Sequence, residues 1–155
     1  MNATGNVGEE RGVASGRGGH PRESHRECFA CGIGQGGGLR LHFEVGADGL
    51  ARAIWVPEAV FRSYPDRVHG GVVATLLDSA MVHALFARGA AGVTAELTIR
   101  YRHPVLLAGE VEVRGWVDGE RHGIVLCGAE ARQGGRLAVR AAAKFVAMDP
   151  LPNPA

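Results

Sequence analysis

One stretch with a helical period, set among stretches with a strand period, most constrains the fold of this chain. From about Gly70 to Arg88, apolar side chains recur at three- and four-residue steps, which places them on one face of an α-helix. The members of this stripe are Val73, Leu76, Leu77, Ala80 and Ala84. Gly89 and Gly92 follow, and glycine commonly ends helices. The apolar stripe of one long helix must be buried, so the other segments have to cover it.

Those other segments alternate with a period of two, as β-strands do. The first two predicted strands are Leu39–Val45 and Leu50–Val56, joined by a hairpin turn at residues 47–49. Four strands follow the helix, and their apolar faces are Val93, Ala95, Leu97, Ile99 and Tyr101; Val111, Val113 and Val117; Val125, Cys127, Ala129 and Ala131; and Leu137, Val139, Ala141, Ala143 and Phe145. Short glycine-bearing links join the last three strands, which predicts an antiparallel meander. We therefore predict an α+β domain in which a curved antiparallel sheet wraps around one long central helix.

Composition limits the partners of the chain. A net charge of +1 over 155 residues gives no field that would gather nucleic acid or an anionic membrane. No apolar run approaches the roughly 20 residues needed to span a bilayer, and the N-terminus lacks the hydrophobic segment of a secretory signal. Three cysteines provide no disulfide framework, so we expect a cytoplasmic protein. Residues 1–27 and 149–155 are expected to be tails, which leaves residues 28–148 as the domain.

The start of the predicted helix carries the chemically informative residues, in the segment HGGVVATLLDSA from His69 to Ala80. Glycine costs about 1 kcal/mol there relative to alanine, but Gly70 and Gly71 leave first-turn N–H groups bare at the positive end of the helix dipole. Such donors can form an oxyanion hole for a substrate carbonyl. Asp78 follows two turns later, nearly in line with Gly71. We expect the carbonyl to lie at the glycines with Asp78 beside its carbon, as a nucleophile or as a base that activates water.

A narrow stripe accompanies these groups along the helix, formed by Gly71, Ala74, Thr75 and Asp78. Its residues are mostly small, so it could accept a slender substrate arm. A His-Gly-Gly turn alone, or a solvated mid-helix aspartate alone, would more often be structural. Their combination at this spacing favours a catalytic site.

Other chemistry-bearing residues are interpreted as structural. The pair Cys28 and Cys31, with His20 and His25 nearby, has the spacing that begins many zinc sites. No second ligand pair follows, so an ordinary loop and no bound metal are expected. Four scattered histidines are expected on the surface or in packing: His42, His83, His103 and His122. Trp55, Trp116 and Phe145 are expected to be packing residues rather than a substrate box.

The helix motif, from His69-Gly70-Gly71 to the LLD that ends at Asp78, resembles that of PaaI-like hotdog thioesterases. Further segments resemble the same family: CFACG (Cys28–Gly32), GLRLHF (Gly38–Phe43), YPDRVHGG (Tyr64–Gly71) and VTAELTIRYRHPV (Val93–Val105). The resemblance implies the hotdog fold and hydrolysis of acyl-CoA thioesters, with some relatives acting on acyl-carrier-protein thioesters. It implies no cofactor.

The resemblance also assigns roles to individual residues. Gly70 would polarise the thioester carbonyl, Asp78 would be the base or nucleophile, and His69 would shape the helix start. Thr94 would lie near the attacking water. Substrate-binding residues would be Gly71, Ser63, Arg100, Arg102 and His103. The last three would lie near the coenzyme A phosphates, or else only form a solvated face of the sheet. Many members carry Asn six residues before the motif histidine, where this chain has Ser63.

Two other functions compete with hydrolysis. A non-catalytic hotdog module could bind acyl-CoA or act as a regulator, but Asp78 speaks against it. A hotdog dehydratase or hydratase needs a paired His and Asp on the loop that enters the helix, and no such pair is evident. One sheet around one helix leaves an edge uncovered, so a homodimer or homotetramer with substrate between subunits is expected. The sequence does not identify the acyl group of the substrate.

Overall fold

The computed structural model describes residues 25–33 and 36–148. The tails expected at residues 1–27 and 149–155 lie outside the described residues, apart from residues 25–27. Among the described residues, no helix is long and apolar enough to cross a membrane.

In the described residues, one α-helix, a short 3-10 helix (Ala59–Phe61) and eight strands form the domain. The helix is α1 (Gly70–Phe86), and the strands are β1 (Glu44–Val45), β2 (Ala51–Trp55), β3 (Arg62–Tyr64), β4 (Arg67–Val68), β5 (Gly92–Tyr101), β6 (Val111–Arg121), β7 (Ile124–Gln133) and β8 (Arg136–Ala147). Six strands make one antiparallel sheet in the order β1-β2-β6-β7-β8-β5, and β3 pairs with β4 separately. The meander predicted for the last three strands is confirmed. So is the α+β hotdog architecture, with one long helix packed against the curved sheet.

The apolar stripe of α1 faces the sheet as predicted. All five of its members are buried, and Leu76, Leu77 and Ala80 have no exposed surface. The helix lies closest to β6 at Gly115, where an added Cβ would come within 2.3 Å of the Ala80 backbone. The absence of a side chain at Gly115 therefore allows α1 to pack this closely against β6.

Both helix ends follow from local sequence. His69 caps the N-terminus, because its side chain accepts a hydrogen bond from the Gly71 N–H. At the other end Gly89 adopts a φ of +69°, and the Ala90 N–H donates to the Leu85 carbonyl at 3.1 Å. The helix thus ends at Phe86, slightly before the predicted Arg88. The prediction that Gly92 also ends the helix is wrong, because Gly92 begins β5.

The first predicted strand is mostly not part of the sheet. Only Glu44 and Val45 pair with β2, although Leu39, Leu41 and Phe43 are buried. The Leu39 and Leu41 N–H groups instead donate to the carbonyls of Phe29 and Ala30, both at 2.9 Å. Arg40 between them has a φ of +52°, which interrupts an extended strand. The alternating apolar pattern correctly predicts burial of this segment, but the segment forms hydrogen bonds with a loop instead of a strand.

A β-bulge changes the faces predicted for β5. Thr94 lies opposite Phe145 and Glu96 lies opposite Lys144, which leaves Ala95 as an extra residue. Residues opposite each other share a face, so Thr94 faces the helix with the buried Phe145, whereas Val93 points outward and is 54% exposed. The prediction that Val93 shares a face with Leu97 is therefore wrong. One inserted residue reverses the alternation before the bulge.

The predicted packing role is confirmed for Trp55 and Phe145, which are buried in the core. Trp116 packs on the other face of the sheet. Its ring covers Gly128, where an added Cβ would come within 2.6 Å of it, and the Arg140 guanidinium lies 5.6 Å from the ring centroid.

Candidate active site

The centre of the candidate site is a contact between the helix and the edge of the sheet. Asp78 is half-buried in the middle of α1, and its Oδ1 accepts a hydrogen bond from the Thr94 hydroxyl at 2.6 Å. The β5 bulge makes this contact possible because it turns Thr94 towards the helix. The hydroxyl holds one oxygen of the carboxylate, so the carboxylate is oriented before any substrate binds.

The second part of the site is the start of α1. The Gly71 N–H donates to Nδ1 of His69 at 3.0 Å and is therefore occupied. Within the described part of the chain, no group accepts a hydrogen bond from the Gly70 N–H. Of the two glycines proposed as carbonyl donors, Gly70 is thus the one with an open N–H.

Tyr101 supports this helix start, and the sequence reasoning missed its role. Its hydroxyl donates to the Gly70 carbonyl at 2.7 Å, from the end of β5. Burial raises the pKa of Tyr101 above its ordinary value, which keeps the hydroxyl protonated and able to donate. The available signal was its position on the apolar face of the strand that also carries Thr94.

A cleft of about 340 Å³ opens beside the helix start. It brings together four residues predicted from separate segments: Ser63, Gly70, Arg102 and His103. Tyr101 lines the same cleft. Arg100 does not line it, because Arg100 lies opposite Arg140 on the outer face of the sheet.

The distance along α1 corrects one expectation. Asp78 lies eight residues after Gly70, and a helix rises about 1.5 Å per residue, so the two are separated by about 12 Å. A thioester carbonyl that accepts a hydrogen bond from Gly70 therefore cannot have Asp78 of the same chain beside its carbon. Both groups lie along one stripe, as predicted, but one chain cannot bring them to the same carbonyl.

Three potential metal ligands also come together, near the other end of the helix. Among the described residues, His25, Cys28 and Cys31 form such a group, and their ligand atoms lie within 4.8 Å of one another. His25 packs edge-on against Phe86, with ring centroids 4.8 Å apart. Burial lowers the pKa of His25, while the charge of Asp78 acts in the opposite direction.

Comparison with known proteins relates part of the chain to one family. Residues 66–140 match the sequence model of the thioesterase superfamily. A solved thioesterase superfamily protein is 29% identical with a TM-score of 0.66, over 68% of this chain and 55% of that one. This chain therefore spans only about half the length of that relative. No curated protein matches the chain.

Two more distant structures support the fold. The PaaI protein of E. coli, from the phenylacetic acid degradation operon, is 17% identical with a TM-score of 0.70, over 82% of this chain and 92% of its own. A hypothetical thioesterase protein from Streptococcus pneumoniae TIGR4, solved with coenzyme A, is 19% identical with a TM-score of 0.66, over 71% and 90%.

The structure thus has the hotdog fold of these proteins, and residues 66–140, just under half of the chain, match the thioesterase superfamily. The likeness to the PaaI protein, at 17% identity, shows a shared fold.

Proposed function

We propose that this protein hydrolyses acyl-CoA thioesters at sites formed between two copies of the chain. The observation that carries the proposal is the half-buried Asp78 carboxylate, oriented by Thr94 at 2.6 Å, on the same helix as the open Gly70 N–H. A fixed carboxylate and a backbone donor at a helix start are the two groups that hydrolysis of an acyl group requires.

In the proposed reaction the Gly70 N–H stabilises the negative charge that develops on the carbonyl oxygen. Asp78 either removes a proton from water as the water attacks, or attacks the carbonyl carbon itself and forms an anhydride that water then cleaves. In both routes the C–S bond breaks, the thiol leaves with a proton and the acyl group leaves as the free acid. Label found in the Asp78 carboxylate after single-turnover hydrolysis in ¹⁸O-water identifies direct attack, because the label enters this carboxylate only when water cleaves the anhydride at the Asp78 carbonyl.

The separation of about 12 Å between Gly70 and Asp78 supports a shared site. The partner must then supply one of the two groups. Strand β5 is the natural contact, since it is a ten-residue edge of the sheet, whereas the other edge, β1, has only two residues. Long open edges are normally paired or covered.

Pairing of β5 with its copy about a two-fold axis would lay the two helices antiparallel. An axis level with Ala74, midway between Gly70 and Asp78, puts each Gly70 beside the Asp78 of the other helix. The small stripe of Gly71, Ala74 and Thr75 then leaves room between the helices for an acyl arm. The Thr75 hydroxyl donates a hydrogen bond to the Gly71 carbonyl at 3.0 Å, so it lies against its own helix and does not project into the space between the two helices.

Basic groups at the cleft support coenzyme A as the thiol. Arg102 and His103 line the cleft beside Gly70, where they can contact phosphate groups. The Streptococcus pneumoniae relative was solved with coenzyme A. Arg100, on the outer face, is proposed to reach the phosphates only as part of an assembled dimer.

Two inactive variants test both the activity and the shared site. Asp78→Asn removes the carboxylate. Gly70→Pro removes the N–H at the first helical position, where proline is well tolerated, and His69 already has the extended backbone that a following proline requires. Each variant alone should release little thiol from acyl-CoA.

Mixing and re-annealing the two variants should then restore activity. In each heterodimer one site receives both mutations and the other receives neither, so random association restores about one quarter of the sites. A site contained in one chain would show no recovery. Wild-type protein that releases no thiol from any acyl-CoA of a broad panel, while it still binds coenzyme A, would instead identify a non-catalytic binding module.

A further inference from the structure

The segment between His25 and Gly32 has the form of a metal-binding turn. The Cys28 N–H donates to the His25 carbonyl at 3.0 Å, and the Gly32 N–H donates to the Cys28 carbonyl at 2.7 Å. These two bonds curl the chain so that both thiols and the imidazole face one point. Their ligand atoms lie within 4.8 Å of one another, and Nδ1 of His25 is 3.6 Å from Sγ of Cys31.

Gly32 is required by this turn. A Cβ at Gly32 would lie 2.5 Å from the carbonyl oxygens of Arg26 and Cys28. Any other residue would open the turn and separate the two thiols. The sequence Cys-x-x-Cys-Gly therefore fixes the positions of the sulfur atoms as well as their spacing.

The turn is also anchored to the rest of the domain. His25, Cys28 and Cys31 are half-buried, and both cysteines pack against the hydrophobic core. The His25 ring meets Phe86 at the C-terminal end of α1, and the Phe29 and Ala30 carbonyls accept hydrogen bonds from Leu39 and Leu41. An ion bound here would tie the N-terminal segment to the helix that carries Asp78.

We propose that His25, Cys28 and Cys31 bind a zinc ion, with water as the fourth ligand. Two thiolates and one imidazole favour zinc over calcium, magnesium or manganese, which prefer oxygen ligands. The ion stabilises the fold, because binding to ligands that converge only in the folded chain contributes directly to folding free energy. The proposal departs from the expectation of an ordinary loop, because the fold brings His25 to the two cysteines in place of a second ligand pair.

Metal analysis of the full-length protein, purified without a histidine tag, is the first test. We expect close to one zinc per chain, and a cobalt-substituted protein with thiolate-to-cobalt charge-transfer absorption and the strong visible bands of tetrahedral coordination. Removal of the ion with a chelator should lower the Tm by several degrees, and added zinc should restore it. Protein that contains no zinc and takes up neither ion, or that carries a Cys28–Cys31 disulfide, would overturn the proposal.

Substitutions locate the ion. Cys28→Ser, Cys31→Ser and His25→Ala should each lose zinc. The matched controls are Cys127→Ala, a cysteine buried in β7, and His42→Ala, an exposed histidine, and both should retain it. A ligand variant could lose zinc because it unfolds. The cobalt spectrum of the wild-type chain is therefore an independent measurement, because it detects thiolate coordination without any substitution. Zinc that persists in all three ligand variants lies elsewhere and contradicts the assignment.

Discussion

Thr94 and Asp78 are 16 residues apart in sequence, yet the Thr94 hydroxyl donates to Asp78 Oδ1 at 2.6 Å. The contact joins the middle of α1 to the edge strand β5, and it depends on the extra residue Ala95 in the bulge. Without that residue Thr94 would point to the outer face, as the simple alternation predicted. The bulge is therefore a feature of the candidate site rather than an irregularity of the sheet.

Asp78→Asn should reduce thiol release by about 10²- to 10⁴-fold, because an amide has the same shape but neither accepts the proton nor attacks the carbonyl. The Tm should change little. Asp48→Asn is the matched control, since Asp48 lies in the exposed β1–β2 turn and pairs with Arg52. Steady-state kinetics with an acyl-CoA measure thiol release by both variants, and thermal unfolding measures their Tm. If Asp78→Asn turns over acyl-CoA as fast as the wild type, Asp78 is not the catalytic carboxylate.

Thr94→Val should lower kcat by roughly 10- to 100-fold, because it removes a hydrogen bond to a charged carboxylate while keeping the shape of the side chain. Thr94→Ser retains the hydroxyl and should keep most of the activity. Thr98→Val is the control, since Thr98 lies on the same strand opposite Ala142 on the outer face. Equal losses in Thr94→Val and Thr98→Val would indicate a general effect on β5 rather than on Asp78.

Gly70→Pro and Gly70→Ala separate the N–H from the space around it. Proline lacks the donor and should reduce kcat by about 10²- to 10³-fold. Alanine keeps the donor, and its Cβ would lie an ordinary 3.6 Å from the Tyr101 hydroxyl oxygen, so its effect should be much smaller. Circular dichroism checks that the helix persists in both variants. If alanine proves as damaging as proline, the N–H is not the group that matters.

Cys127 predicts a pH effect on stability. Burial raises the pKa of this thiol from 9.0 to about 11. Between these pH values the unfolded chain loses the proton that the folded chain keeps, so stability is highest below pH 9 and falls as the pH rises towards 11. Denaturant titrations of wild type and Cys127→Ala at pH 8 and pH 10.5 measure the difference. The loss of stability should be smaller in the variant, and equal losses would contradict the prediction.

Much of the fold was predictable because it depends on neighbours in sequence. The helical period predicted the burial of Val73 and Leu76, and the glycines predicted the hairpin between β7 and β8. The motif from His69 to Asp78 indicated the helix of the candidate site. The identity of the motif residues needed no coordinates. These features follow from backbone geometry over a few residues, which a linear pattern records directly.

The tertiary structure decided the rest, because it concerns distances between segments that are remote in sequence. It turned Thr94 inward through one inserted residue, and it brought Tyr101 to the carbonyl of Gly70. It also set His25 beside the cysteine pair. The sequence placed Gly70 and Asp78 on one stripe, but the rise of the helix separates them by about 12 Å, which makes a second copy part of the proposed site.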